Sequence, residues 1–203
     1  MHPPSPRPAV AARPGRRLLL LAGLGALAQV LPGRLRAATP ELAAALREGG
    51  TALLLRHART VPGTGDPPGF RLEACATQRN LSEAGREQSR RIGQWFAAQG
   101  LRPAAVRSSR WCRCLDTARL AFGAVEPWAA LDSFFDDRSS EPRQSAALRE
   151  ALAAIGPGRF EVWVTHQVNI TALSGEIPAM GEALAIASGR DGTTIRARAR
   201  FAE

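Results

Sequence analysis

Lysine is absent from this chain of 203 residues, and all 27 of its basic side chains are arginine. With Ala, Gly and Pro abundant as well, the composition carries a G+C-rich coding bias, and the pI near 11.4 overstates how basic the chemistry is. Residues 1–38 contain no acid but six arginines (Arg7, Arg13, Arg16, Arg17, Arg34 and Arg36), so the net charge of +9 less those six leaves +3 for residues 39–203. A balance that modest suits small anionic ligands and argues against a nucleic-acid surface. Metal-ligating residues are scarce too. Of three histidines, one, His2, lies in the N-terminal segment, and the Cys-Arg-Cys spacing of Cys112 and Cys114 does not match a zinc site, so no metal and no cofactor are expected. Long apolar runs are missing: the longest, Leu18 to Leu31, is about 14 residues against the roughly 20 needed to span a bilayer. There is no internal repeat. A hydrophobic content of 45% is enough for a core, which excludes disorder as a description of the whole.

What is present at the N-terminus reads as an export signal over residues 1–38: a basic, Pro-rich start, Arg16-Arg17, the short apolar run, and Ala37-Ala38 before Thr39-Pro40. The arginine pair directly before the apolar run fits twin-arginine export, with an uncleaved anchor as the alternative. Residues 39–203 are then expected as one domain in the periplasm or secreted, with no stable membrane span after processing. Cys75, Cys112 and Cys114 fit an oxidising compartment if one disulfide forms; Cys112 and Cys114 are too close along a helix to bridge each other, so Cys75 pairs with one of them.

Strand and helix patterns alternate along the remainder. Thr51–Leu55, Ala104–Arg107 and Phe160–Thr165 read as buried strands, and Trp128–Leu131 as a fourth. Helices are predicted over Ser82–Gln99, with Ser82 as N-cap and Gly100 as the stop, over Trp111–Phe122, and over Gln144–Ile155 before Gly156-Pro157-Gly158. The tail, Leu184–Ala187 and Thr194–Phe201, reads as a hairpin. Such an order predicts an α/β fold, a three-layer α/β/α sandwich with a mostly parallel central sheet. Ligands of these sheets collect where strands end, and two strands run directly into histidine: Arg56-His57 and His166. With so many arginines an Arg-His pair alone is a weak signal; the placement of both remaining histidines at strand ends is the informative one. Pro62–Gly69 is a candidate rim or lid. Trp95, Phe96 and Trp163 read as core, and Arg196, Arg198 and Arg200 as one solvated strand face.

Four segments resemble a known family. Leu53-Leu54-Leu55-Arg56-His57-Ala58 is similar to the nucleophile motif of the histidine phosphatases, and Leu81-Ser82-Glu83-Ala84-Gly85-Arg86-Glu87-Gln88 to their Leu-Ser/Thr-x-x-Gly-x-x-Gln segment. Ser109 to Ala118 reads as Ser-x-x-x-Arg-x-x-x-Thr-Ala, and Val164-Thr165-His166-Gln167-Val168-Asn169 resembles the second-histidine motif. The order is the family's, across residues 51 to 175. Cys75-x-Thr77-Gln78-Arg79-Asn80-Leu81 with Trp111-Cys112-Arg113-Cys114 resembles exported bacterial members, some of them phosphatases of phosphorylated heptose in the lipopolysaccharide core.

The resemblance implies a phosphomonoesterase in which His57 attacks phosphorus and forms a phosphohistidine, while Arg56, Arg113 and His166 hold the phosphoryl oxygens. A general acid is less plain. Gln167 stands where one branch has Asp after the second histidine, and Ser133 where another has Glu, leaving Asp132, Asp136, Asp137 and Glu141, of which Asp136 is favoured. Arg59, Arg79 and Asn169 are candidate substrate contacts. The expected partner is a small phosphorylated molecule, sugar phosphates included; a non-catalytic phosphate-ligand binding protein is the alternative.

Overall fold

The computed structural model describes residues 1–2, 40–190 and 192–201. The export segment expected at residues 1–38 lies outside the described residues, apart from Met1 and His2. The elements are α1 (Pro40–Glu48), β1 (Thr51–Arg56), α2 (Glu83–Ala98), β2 (Ala105–Ser108), α3 (Cys112–Phe122), β3 (Glu126–Pro127), α4 (Glu141–Ala153), β4 (Phe160–Thr165), α5 (Gln167–Ser174), β5 (Glu182–Gly189) and β6 (Gly192–Arg200).

They form one six-stranded sheet in the order β3-β2-β4-β1-β5-β6. The first four strands are mutually parallel, and β5 and β6 are antiparallel, closing the sheet with the predicted hairpin. Strand periodicity sorts the core into two layers. Leu53 and Leu55 face α1, α2 and α3 with Leu46, Ile92, Phe96 and Ala118, whereas Ala52 and Leu54 face α4 and α5 with Leu148, Leu152, Ile170 and Trp163. The architecture is therefore the three-layer α/β/α sandwich expected, mostly parallel. Trp163 and Phe96 are core, as read; Trp95 packs half-buried against Phe96 and Phe201. Among the described residues no helix is long and apolar enough to cross a membrane.

One predicted strand is displaced. Trp128–Leu131 is not extended: pairing is confined to Glu126–Pro127, and Ala129–Leu131 turns into a short 3-10 helix. β3 is an edge strand of two residues ending at Pro127; Trp128 still donates its N–H to the Ser108 carbonyl at 2.7 Å, and its ring packs edge-on against Trp163 at 5.6 Å. Two helices, α1 and α5, have no counterpart in the sequence reading. Both are nine residues or fewer, too short for a helical period to stand out.

Candidate active site

Sheet register builds the site. Arg56 lies opposite Thr165 on adjacent parallel strands, so the next residue on each, His57 and His166, leaves the sheet side by side. The imidazole centroids are 5.5 Å apart at 66°. On the other side of β4, Ser108 pairs with Val164, which puts Ser109 beside the second histidine. Three neighbouring carboxyl ends thus converge at one rim of the sheet.

The helical motifs hold this rim in place. Ser82 caps α2 by accepting from the Gly85 N–H at 3.1 Å, and its own N–H donates to the Arg59 carbonyl at 3.0 Å. Gln88 Oε1 accepts from the Arg59 N–H at 3.1 Å, and a Cβ on Gly85 would fall 1.8 Å from the Arg59 oxygen. Only glycine permits that approach. The chain after His57 is therefore pinned to the first turns of α2, and Thr117 of α3 accepts from the Ala58 N–H at 3.0 Å.

His57 is buried, and its Nδ1 lies 2.9 Å from the Ala58 carbonyl. A carbonyl only accepts, so Nδ1 carries the proton and Nε2 keeps its lone pair. Burial first, then the charge of Arg113, lowers the His57 pKa to about 3. The ring is a neutral imidazole with one bare nitrogen, the form a nucleophile requires.

It lines a cavity of about 320 Å³ together with Arg56, Arg79, Arg113 and His166. Burial and mutual repulsion push Arg56 and Arg79 below the usual guanidinium range, and the Nε atoms of Arg56, Arg79 and Arg113 are buried without a hydrogen-bond partner. Three guanidinium groups with donors to spare, around two neutral imidazoles, form a site built for an anion. A larger groove of about 840 Å³, lined by Phe96, Pro103, Val106 and Phe122 at the other ends of α2 and α3, contains no histidine, cysteine, serine or threonine; size does not locate the chemistry.

Asp66, in the Pro62–Gly69 loop, is the carboxylate paired with this arginine cluster, its side chain 4% exposed. It accepts from Arg113 Nη1 at 2.8 and 3.0 Å, from Trp111 Nε1 at 2.9 Å and from the Arg79 N–H at 2.9 Å. Burial works to raise its pKa, but the donors from Arg113, Arg79 and Trp111 outweigh that and lower it. Past the loop, the Cys75–Cys112 disulfide, with Cα atoms 5.6 Å apart, ties the chain to the start of α3. Cys75 therefore pairs with Cys112. Cys114 is a buried free thiol, which burial pushes up to about 12, too high to ionise as a nucleophile.

No family model and no curated protein matches the chain. Solved structures do. The mycobacterial glucosyl-3-phosphoglycerate phosphatase gives a TM-score of 0.54 at 16% identity, over 75% of this chain and 99% of that one. The Entamoeba histolytica phosphoserine phosphatase gives 0.51 at 11% identity over 73% and 95%, and the Shigella flexneri alpha-ribazole phosphatase 0.50 at 16% over 75% and 99%. The chain shares the fold of these proteins, the phosphoglycerate mutase-like α/β fold.

On that fold, the residues singled out from the sequence separate into two groups. Arg56, His57, Arg79, Arg113, Asp136 and His166 all line the cavity. Arg59 and Asn169 do not. Arg59 is anchored through its backbone to α2, and Asn169 is buried, with Nδ2 donating to the Asp132 carbonyl at 2.8 Å. Of the other acid candidates, Asp132 is buried against Arg110, while Asp137 caps the turn at Ser139 and Glu141 pairs with Arg138, both away from the cavity wall. Sequence reasoning named the Pro/Gly loop as a rim but missed Asp66 within it, as well as Phe135 and Met180 on the wall. A lone acid in a Pro/Gly loop was the only available signal for Asp66.

Proposed function

We propose that this protein is a phosphohydrolase that cleaves phosphomonoesters through a phosphohistidine on His57. The observation that carries the reading is the Nδ1–H contact to Ala58, which leaves Nε2 bare in a cavity walled by Arg56, Arg79, Arg113 and His166. Nε2 attacks phosphorus in line, the ester P–O bond breaks, and the guanidinium groups hold the equatorial oxygens as charge spreads over them. Asp136, exposed at the cavity mouth, gives its proton to the leaving oxygen; its carboxylate then takes a proton from the water that breaks the P–N bond, restoring neutral His57.

The substrate is a small phosphorylated molecule. Phosphorylated sugars, heptose among them, fit a cavity of this volume whose mouth carries Ser133 and Asp136 beside the apolar ring of Phe135. The disulfide supports an oxidising, extracytoplasmic location, in line with the export segment read at residues 1–38. The test is turnover of a generic aryl phosphate by the wild type and by His57→Ala. Hydrolysis by the first and none by the second is expected; equal background in both refutes catalysis and leaves a phosphate binder. A panel of sugar phosphates then orders the substrates.

A further inference from the structure

Off the cavity wall, on the Nε2 side of His166, lies a chain of polar groups that the cavity lining does not include. His166 Nε2 is 2.8 Å from Ser109 Oγ, and Ser109 donates to Asp132 Oδ1 at 3.3 Å. Asp132 is held from every side: its carboxylate accepts from the Arg110 N–H at 2.8 Å and Arg110 Nε at 2.7 Å, and its carbonyl accepts from Asn169 Nδ2 at 2.8 Å and Gln144 Nε2 at 3.0 Å.

Donor and acceptor rules set the direction of this chain. The carboxylate only accepts, so the single hydroxyl proton of Ser109 goes to Asp132. Ser109 Oγ accepts from the Trp111 N–H at 3.3 Å, which leaves its other lone pair for a donor at His166 Nε2. The remaining ring nitrogen, Nδ1, lies 3.5 Å from Arg113 Nη2, and a guanidinium has no acceptor. Both ends of the ring agree: Nε2 carries the proton and Nδ1 is bare. This is the opposite tautomer to that of His57.

We infer that Asp132, acting through Ser109, is a positioning residue that orients His166 and lets it take a second proton on Nδ1 when a phosphoryl dianion enters the cavity. The inference rests on the phosphohydrolase reading. A bare Nδ1 facing a dianion would repel it, whereas the same nitrogen protonated donates to it. The proton comes from solvent, and the Asp132–Ser109 pair offsets the resulting imidazolium charge from behind. In the free protein the groups around His166 oppose that charge: burial, then Arg113, His57, Arg56 and Arg79, hold its pKa well below the usual value. The Cys114 thiol, 3.5 Å from Nε2, is neutral, and Asp66 is engaged by Arg113. The arriving dianion reverses the balance, so protonation is coupled to binding.

The full chain has three histidines, so ¹⁵N-histidine NMR resolves each ring, with His2→Asn and His57→Gln for assignment. Sulfate serves as the probe because it is a dianion with no proton to give at neutral pH. We expect free His166 as the Nε2–H tautomer and sulfate-bound His166 protonated on both nitrogens. Asp132→Asn and Ser109→Ala are each expected to lower the pH midpoint of the bound form by about one unit, a tenfold loss of proton affinity. The alkaline limb of the kcat–pH profile moves with it. Ser109→Ala keeps the Asp132–Arg110 pair, so it reports even if Asp132→Asn does not fold. A loss of packing alone would lower stability and leave the midpoint in place. An Nδ1–H tautomer in the free protein, or a midpoint that neither variant shifts, overturns the relay while aryl phosphate turnover stands. Histidine signals unmoved by sulfate, with no turnover, overturn the relay and the phosphohydrolase reading together.

Discussion

Burying a neutral histidine makes the fold sensitive to acid, and His57 allows the size of the effect to be worked out. The residue is 2% exposed, and its pKa falls from 6.5 to about 3 on folding. Between those values the unfolded chain binds a proton that the native chain refuses. Stability is therefore complete above pH 6.5 and declines as pH falls toward 3, by about 1.4 kcal/mol per unit. From pH 7 to pH 4 the loss assigned to His57 is on the order of 3 kcal/mol, a large part of the roughly 5–15 kcal/mol that holds an ordinary domain together. Urea unfolding followed by the fluorescence of the four tryptophans measures it, in the wild type and in His57→Gln across pH 4 to 7.5. Carboxylate contributions are shared by both proteins and cancel in the difference, and that of His166 differs only through its coupling to His57. The wild type should lose about 3 kcal/mol more than the variant over this window. Equal slopes, or a steeper one in the variant, would refute the claim that His57 is held neutral. The same shift predicts that, if the proposed activity holds, kcat/KM shows no step near pH 6.5 arising from His57.

Further outcomes follow from other contacts. Arg113→Lys keeps the charge but cannot bridge Asp66, His166 and a phosphoryl oxygen together, so kcat/KM should fall by about 10- to 100-fold in steady-state assays. Opening Cys75–Cys112, which closes a loop of 37 residues, should cost on the order of 4 kcal/mol, read as a lower urea midpoint in Cys75→Ala. Asp136→Asn should slow alkyl phosphates by about 100-fold and aryl phosphates much less, because a good leaving group needs no proton; equal loss on both would remove Asp136 as the acid.

The parallel core of the fold was legible because buried strands and the breaks between them are local features. Phe160–Thr165 stands where the pattern put it, and Ser82, Gly85 and Gly100 mark the ends of α2 through capping and left-handed turns. The strand read at Trp128–Leu131 failed because apolar content does not distinguish a paired edge from a turn folded over the sheet. Arg59 and Asn169 lie near the site in the chain but not on the cavity wall. Proximity in sequence to His57 and His166 carries no information about side-chain direction.

By its own pattern the sequence determined an α/β sheet, the strand ends bearing Arg56-His57 and His166, and the helix bearing Arg113, since each depends on interactions within a few residues. Tertiary structure alone decided the partnerships across long separations: Asp66 with Arg113, Cys75 with Cys112 rather than Cys114, and Asp132 with Ser109 and His166. Those depend on which side chains the sheet order and loop paths bring within hydrogen-bond reach. That is a property of distances in space, and nothing in the spacing along the chain encodes it.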